Sequence, residues 1–109
     1  MKQYEIRWAH LPEPIGKRPV LLLTRTPAYE YLTGVIVAEI TNTIRNIPQE
    51  VRLGRPEGAR RACVANLDNV HVVRKDLLRD RIGTVAPHRH VEIKRALGHA
   101  LSWDELKAL

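Results

Sequence analysis

The chain has 109 residues, 44% of them hydrophobic and 28% charged, and 18 Lys and Arg against 12 Asp and Glu give a net charge of +6. That length suits one domain, 1–109, and no apolar stretch approaches the ~20 residues that span a bilayer, so a two-domain or helical membrane protein is excluded. A single cysteine, Cys63, rules out an internal disulfide and any cysteine-rich zinc module.

The opening segment "MKQYEIRWAHLPEP" has no apolar signal-peptide core, so with its lone thiol the chain is expected in the cytoplasm, with no membrane partner. Its basic balance biases it toward polyanions, above all RNA and DNA, although plain structural proteins share that bias.

In chain order, "YEIRWAHL" (4–11) alternates as a half-buried strand does, and "LPEPIG" breaks it with two prolines and a glycine. "RPVLLLTRT" (18–26) and "YLTGVIVAEIT" (31–41) are apolar on both faces, the mark of central strands in a closed or covered sheet. "TNTIRNIPQ" reads as a loop, "EVRLG" (50–54) as a short strand, "RPEGARR" as a loop, and "ACVANLDNVHVV" (62–73) as a valine-rich strand with a polar middle. The period then changes. "RKDLLRDRIG" is expected as a short helix stopped by Gly83, and "IGTV" as one more short strand. "PHRHVEIKRALGHAL" (87–101) reads as a helix opened by Pro87, with Ile93, Leu97, Ala100 and Leu101 as its apolar face. "SWDE" fits a capping box with Ser102 as N-cap of a last short helix. The sum is a small β-barrel with one packed helix.

Three stretches carry possible chemistry. Pro19 has no N–H for a sheet ladder and belongs at a strand start, which puts Lys17 and Arg18 at the rim. Two cations there either discourage edge pairing or form a phosphate clamp, since a guanidinium meets two phosphate oxygens at once. Thr41 and Asn42 fall where an apolar strand opens into a polar loop, suited to a turn or to a phosphodiester. Asn66, Asp68 and Asn69 interrupt a valine-rich strand. Either "LDN" is a hairpin turn, or alternation sets Asn66 and Asp68 on one face for base edges to meet. Of five histidines, His88 and His90 are spaced wrongly for a helical metal pair, and only His71, beside "LDN", is kept as a possible site residue. No phosphate loop, nucleophile elbow or zinc-ligand motif is present, and no metal or cofactor is expected.

Taken in order, "YEIRWAHL", "KRPVLLL", "VIVAEITN", "IPQEVRL", "LDNVHVV" and "LLRDRIGTVAPHRHVEIKRALGHAL" resemble the MazF/PemK/Kid family of endoribonuclease toxins from bacterial toxin–antitoxin pairs, over essentially the whole chain. The resemblance implies a mainly β, SH3-like small barrel of the CcdB/PemK type with a C-terminal α-helix packed on it, and a homodimer. It implies a metal-independent ribonuclease that cuts single-stranded RNA at specific sequences, by attack of the ribose 2′-OH, leaving a 2′,3′-cyclic phosphate and a 5′-OH. It also implies a cognate antitoxin whose acidic segment covers the basic groove.

By position the family's catalytic arginine falls on Arg18, its threonine on Thr41 and its acidic residue on Asp68. Asn69 stands where glutamine is common, and His71 where arginine is common. Arg18 is cast as stabiliser of the transition-state charge with Lys17 in support, because an arginine is not deprotonated in proteins. Thr41 is cast as a donor to the scissile phosphate. Asn42, Asn66, Asp68, Asn69 and His71 are the expected RNA contacts, and Trp8 is expected in the core rather than as a stacking surface. The rival expectations are a gyrase-poisoning toxin of the same fold and a module that binds RNA without cutting it.

Overall fold

The computed structural model describes residues 1–109. Six strands, β1 (Glu5–His10), β2 (Lys17–Leu22), β3 (Gly34–Thr41), β4 (Glu50–Leu53), β5 (Cys63–Arg74) and β6 (Leu78–Thr84), form one sheet in the order β4-β5-β3-β2-β1-β6. All pairs are antiparallel, and the strands read as apolar on both faces, β2 and β3, are central.

The sheet has two edges, β4 and β6, so the barrel is not closed by a ladder. The segment after β4 packs on the backbone of β6 instead. A Cβ added at Gly83 would lie 1.9 Å from the Glu57 carbonyl oxygen, and one at Gly58 would lie 2.3 Å from that of Ile82. Gly58 also has φ +92°, so glycine meets both the conformation and the close approach.

The curled sheet buries apolar side chains on both faces, because residues alternate across each strand. Ile6, Leu21, Ala38, Ile40, Ala65 and Leu67 join Ile93 and Ala96 of helix α1 (His90–Leu101) in one cluster. Val20, Leu22, Val35, Val37 and Val73 form the other, with Tyr29 and Leu78. Of the helix's expected apolar face, Ile93 is buried, Leu97 and Ala100 are half-buried, and Leu101 is exposed. Ala96, one turn on from Ile93, takes the buried place.

Three local expectations are corrected. The expected helix over "RKDLLRDRIG" is a 3₁₀ turn at Lys75–Leu77 followed by β6. The open edge of β1 takes those residues as a strand, with Ile6 opposite Gly83 and Ala9 opposite Leu78. Exposed Arg79, Asp80 and Arg81 keep that edge charged, which discourages further pairing. "LDN" is not a hairpin turn, because β5 runs unbroken from Cys63 to Arg74. Its register against β3 jumps from Val70↔Ala38 to Asn66↔Glu39, so Leu67, Asp68 and Asn69 form a bulge. Ser102 does not cap the last helix. It adopts a left-handed conformation, φ 56°, that ends α1, and Trp103 N–H donates to the Gly98 carbonyl at 2.9 Å. The chain then folds back as α2 (Asp104–Lys107), and a Cβ at Gly98 would lie 2.7 Å from Leu106 Cβ.

No helix is long and apolar enough to cross a membrane.

Candidate active site

The site begins with a parting of strands. β2 and β3 pair from Leu22↔Val37 to Val20↔Glu39 and no further. Beyond that point Lys17, Arg18 and Pro19 stay paired with His10, Ala9 and Trp8 of β1. Ile40 and Thr41 stay paired with Ala65 and Val64 of β5. A groove of about 1010 Å³ opens across this fork. Pro19, with no N–H to offer a neighbour, stands at the fork.

The groove is strongly cationic. Lys17 and Arg18 come from β2, Arg45 from the β3–β4 loop, Arg60 and Arg61 from the β4–β5 loop, and Arg81 from β6. Arg81 lies 3.4 Å from Glu5, but the other five ion-pair with no carboxylate of the chain. Unpaired cations lining one cleft focus a positive field on it, the setting that draws in a phosphodiester chain. The Lys17 ammonium lies 5.3 Å from the ring centre of Trp8, which is half-buried on the groove wall rather than in the core.

Arg18 and Thr41 face the same groove. The β2–β3 register, continued past its last pair, sets Arg18 level with Thr41. Thr43 N–H donates to Thr41 Oγ1 at 3.1 Å, which fixes the side chain and leaves its O–H free to donate. Asn42 lines the groove beside it.

The bulge in β5 decides which of the polar residues reach the groove. Strict alternation would put Asn66 with Asp68, but the extra residues bring Asn66 and Asn69 to the groove and bury Leu67. Asp68 is exposed and off the groove, and its N–H donates to Asn66 Oδ1 at 2.9 Å, which orients that amide. His71 also lies off the groove wall, with Nε2 3.5 Å from Glu39 Oε2. His90, unsuited to a metal pair, stacks on Tyr4 with ring centres 3.5 Å apart.

Several groove residues escaped the sequence reading: Glu39, Arg45, Arg60, Arg61 and Arg81. The signal for Glu39 was a lone carboxylate inside "VIVAEIT", and for Arg60 and Arg61 a cation pair in a loop. Cys63 is buried at the groove floor, and burial, with the charge of Glu57, pushes its thiol up, so it is a poor nucleophile.

The arginine loop is held by one network. Glu57, buried, accepts a hydrogen bond from Gly54 N–H at 2.7 Å and lies 3.2 Å from the Arg89 guanidinium. Arg89 also donates twice to Glu92 at 2.8 Å and to the Arg52 carbonyl at 2.6 Å. The bonds to Glu92 raise the affinity of Arg89 for its proton, against a burial that works the other way.

Residues 2–101 match the family model described as PemK-like, MazF-like toxin of type II toxin-antitoxin system. The chain belongs to this toxin family. A curated relative, the probable endoribonuclease MazF2 of Mycobacterium tuberculosis, is 36% identical over 90 residues, covering 82% of this chain and 86% of that protein. Among solved structures, the Mycobacterium tuberculosis toxin MazF-mt6 superposes with a TM-score of 0.84 at 32% identity, covering 90% of this chain and 96% of its own. A mycobacterial endoribonuclease in complex with its cognate antitoxin does so with a TM-score of 0.82 at 26% identity, covering 94% and 96%. The fold expected from the resemblance, a mainly β, barrel-like toxin domain with a C-terminal helix, is the fold observed, and the curated relatives are endoribonucleases.

Proposed function

We propose that this toxin cuts single-stranded RNA in the groove between β2 and β3, without a metal ion. The observation that carries this reading is the fork, which leaves Arg18 and Thr41 facing one groove among unpaired cations. The ribose 2′-OH attacks the adjacent phosphorus, the bond to the 5′-oxygen breaks, and the ends are a 2′,3′-cyclic phosphate and a 5′-OH. Arg18 stabilises the charge that grows on the equatorial phosphate oxygens, with Lys17 in support. Thr41 donates its free O–H to the same phosphate. Asn42 holds the flanking backbone. Asn66 and Asn69 meet base edges, and the face of Trp8 stacks a base.

Asp68 contributes to sequence preference by orienting the Asn66 amide rather than from the groove wall, and His71 acts through its contact with Glu39 rather than by touching RNA. The acidic segment of a cognate antitoxin competes for the same cations, and the toxin works in the cytoplasm. It does so as a homodimer, supported by Ile36, Val70 and Val72, which stand exposed on one face of the β3–β5 pair with Ile36 opposite Val72.

The test is incubation of the purified protein, in EDTA, with a long single-stranded RNA and a DNA of the same sequence, with Arg18→Ala alongside. Discrete RNA cuts with 5′-OH ends, intact DNA, and a loss of about 10²–10³ in rate in the variant are expected, as for removal of one transition-state donor. RNA left intact by folded, antitoxin-free protein overturns the proposal.

A further inference from the structure

Attack by a 2′-OH needs a group that takes its proton, and an arginine, which is not deprotonated in proteins, cannot be that group. Glu39 is the one carboxylate on the groove wall. It stands two residues before Thr41 on β3, hence on the same strand face, directly opposite Val20 of β2 and Asn66 of β5. It is thus at the point where β2 and β3 part, next to the position level with Arg18.

The other nearby carboxylates are spoken for. Glu57 is buried against Arg89, Glu5 lies between Arg7 and Arg81, Glu50 accepts from the Arg45 and Asn46 N–H groups through Oε1 while its Oε2 is buried off the groove, and Asp68 lies off the groove. Glu39 has no hydrogen-bond partner besides its contact with His71, whose Nε2 is 3.5 Å away, and its side chain is 32% exposed, enough for substrate to reach.

We infer that Glu39 is a catalytic residue, the proton acceptor for the 2′-OH, and that His71, which touches Oε2 from outside the groove, is a positioning residue that restrains its carboxylate. This deepens the ribonuclease reading and rests on it. Glu39 takes the 2′-OH proton as O2′ bonds to phosphorus. The phosphorus–O5′ bond breaks, and O5′ takes a proton from water in the open groove. The hydroxide so formed recovers the proton from Glu39, which restores the carboxylate.

A carboxylate among phosphates weakens ground-state binding and is useful only for the chemical step. Removing it therefore separates kcat from KM, which loss of a cation would not. His71 from β5 is the charged or titratable group in contact with Glu39, and the groove that Glu39 lines also holds Lys17 and Arg18 from β2, Arg45 from the β3–β4 loop, Arg60 and Arg61 from the β4–β5 loop and Arg81 from β6.

The experiment is cleavage of a short RNA containing a mapped cut site, over a range of pH, by the wild type, Glu39→Gln, Glu39→Asp and His71→Gln, each checked by circular dichroism. Glu39→Gln is expected to lower kcat by about 10²-fold or more with KM unchanged or lower, and to abolish the rise of kcat/KM with pH on the acid side. Glu39→Asp keeps part of the rate and that rise, and His71→Gln gives a smaller fall in kcat with the rise displaced. A folded Glu39→Gln protein that cuts at the wild-type kcat overturns the inference while leaving the ribonuclease reading intact. If Glu39→Gln does not fold, Glu39→Ala, which also removes the carboxylate, decides, and wild-type kcat in that folded variant overturns it. Wild-type protein that cuts no RNA overturns both.

Discussion

Arg89→Ala is the substitution whose cost follows most directly from the geometry. Glu57 sits at 4% exposure with two partners, the Gly54 N–H and the Arg89 guanidinium. Truncating Arg89 leaves that carboxylate buried with one neutral donor. Breaking a buried pair from one side costs about 3–5 kcal/mol, whereas the Arg89–Glu92 pair, on the exposed flank of α1, contributes only about 0.3–0.5. The buried partner therefore sets the loss, about 12–20 °C in Tm at about 4 °C per kcal/mol for a chain of this size.

Thermal and urea unfolding followed by circular dichroism measure it. Adding Glu57→Gln to Arg89→Ala removes the uncompensated charge and should recover part of the stability, a coupling that a double-mutant cycle reads directly. The loss should also resist salt, since a buried pair is screened little. A destabilisation below about 1 kcal/mol, or a double variant no better than the sum of the singles, would refute the reasoning. Because Glu57 anchors the segment leading to Arg60 and Arg61, the same variant should bind RNA more weakly.

Three further outcomes follow from other parts of the structure. Gly83→Ala has no room for its methyl 1.9 Å from the Glu57 carbonyl oxygen, so it should cost about 1–3 kcal/mol or more and loosen the arginine loop, read by urea unfolding and by proteolysis near Arg60. Binding of a non-cleavable single-stranded nucleic acid should weaken with salt. Replacing Arg60 and Arg61 with glutamine should flatten the slope of log K against log salt by about 1.4, at about 0.7 per phosphate contact, and an unchanged slope would place those arginines outside the interface. Burial alone would raise the Glu5 carboxyl, but the Lys2 N–H and the bond and charge of Arg7 hold it below its usual range, and the Arg89 bonds lower Glu92. Between the lowered folded values and the ordinary glutamate value of about 4.3, the unfolded chain binds more protons. This stabilisation is complete above that window and is lost as pH falls through the folded values. Glu5→Gln should flatten the acid limb of an unfolding-against-pH curve.

Part of the groove lining was legible in one dimension because its residues sit where strand chemistry changes. Lys17 and Arg18 precede a proline that cannot join a ladder, and Thr41 ends an apolar run, so both stand at a rim whatever the topology. The central place of β2 and β3 was likewise written in runs that are apolar on both faces. Local pattern failed where a distant partner decided the outcome. Residues 74–83 carry apolar groups flanked by charges as a short helix does, yet the unpaired edge of β1 made 78–84 a strand. Ser102 begins a capping pattern, yet the turn that folds α2 onto Gly98 required a left-handed residue there. The bulge in β5 broke the period of two on which the faces of Asn66, Asp68 and Asn69 were assigned.

What the sequence determined by itself was a small β-rich domain, basic, with a cation pair and a hydroxyl at strand ends, since alternation, proline and charge act over a few residues. Only the tertiary structure decided that β2 and β3 part between Val20 and Arg18, because a fork is a relation between strands some 20 residues apart. That parting brings Arg45, Arg60, Arg61 and Arg81 from three other segments into one groove, and leaves Glu39, unremarkable inside its strand, as the one carboxylate facing it.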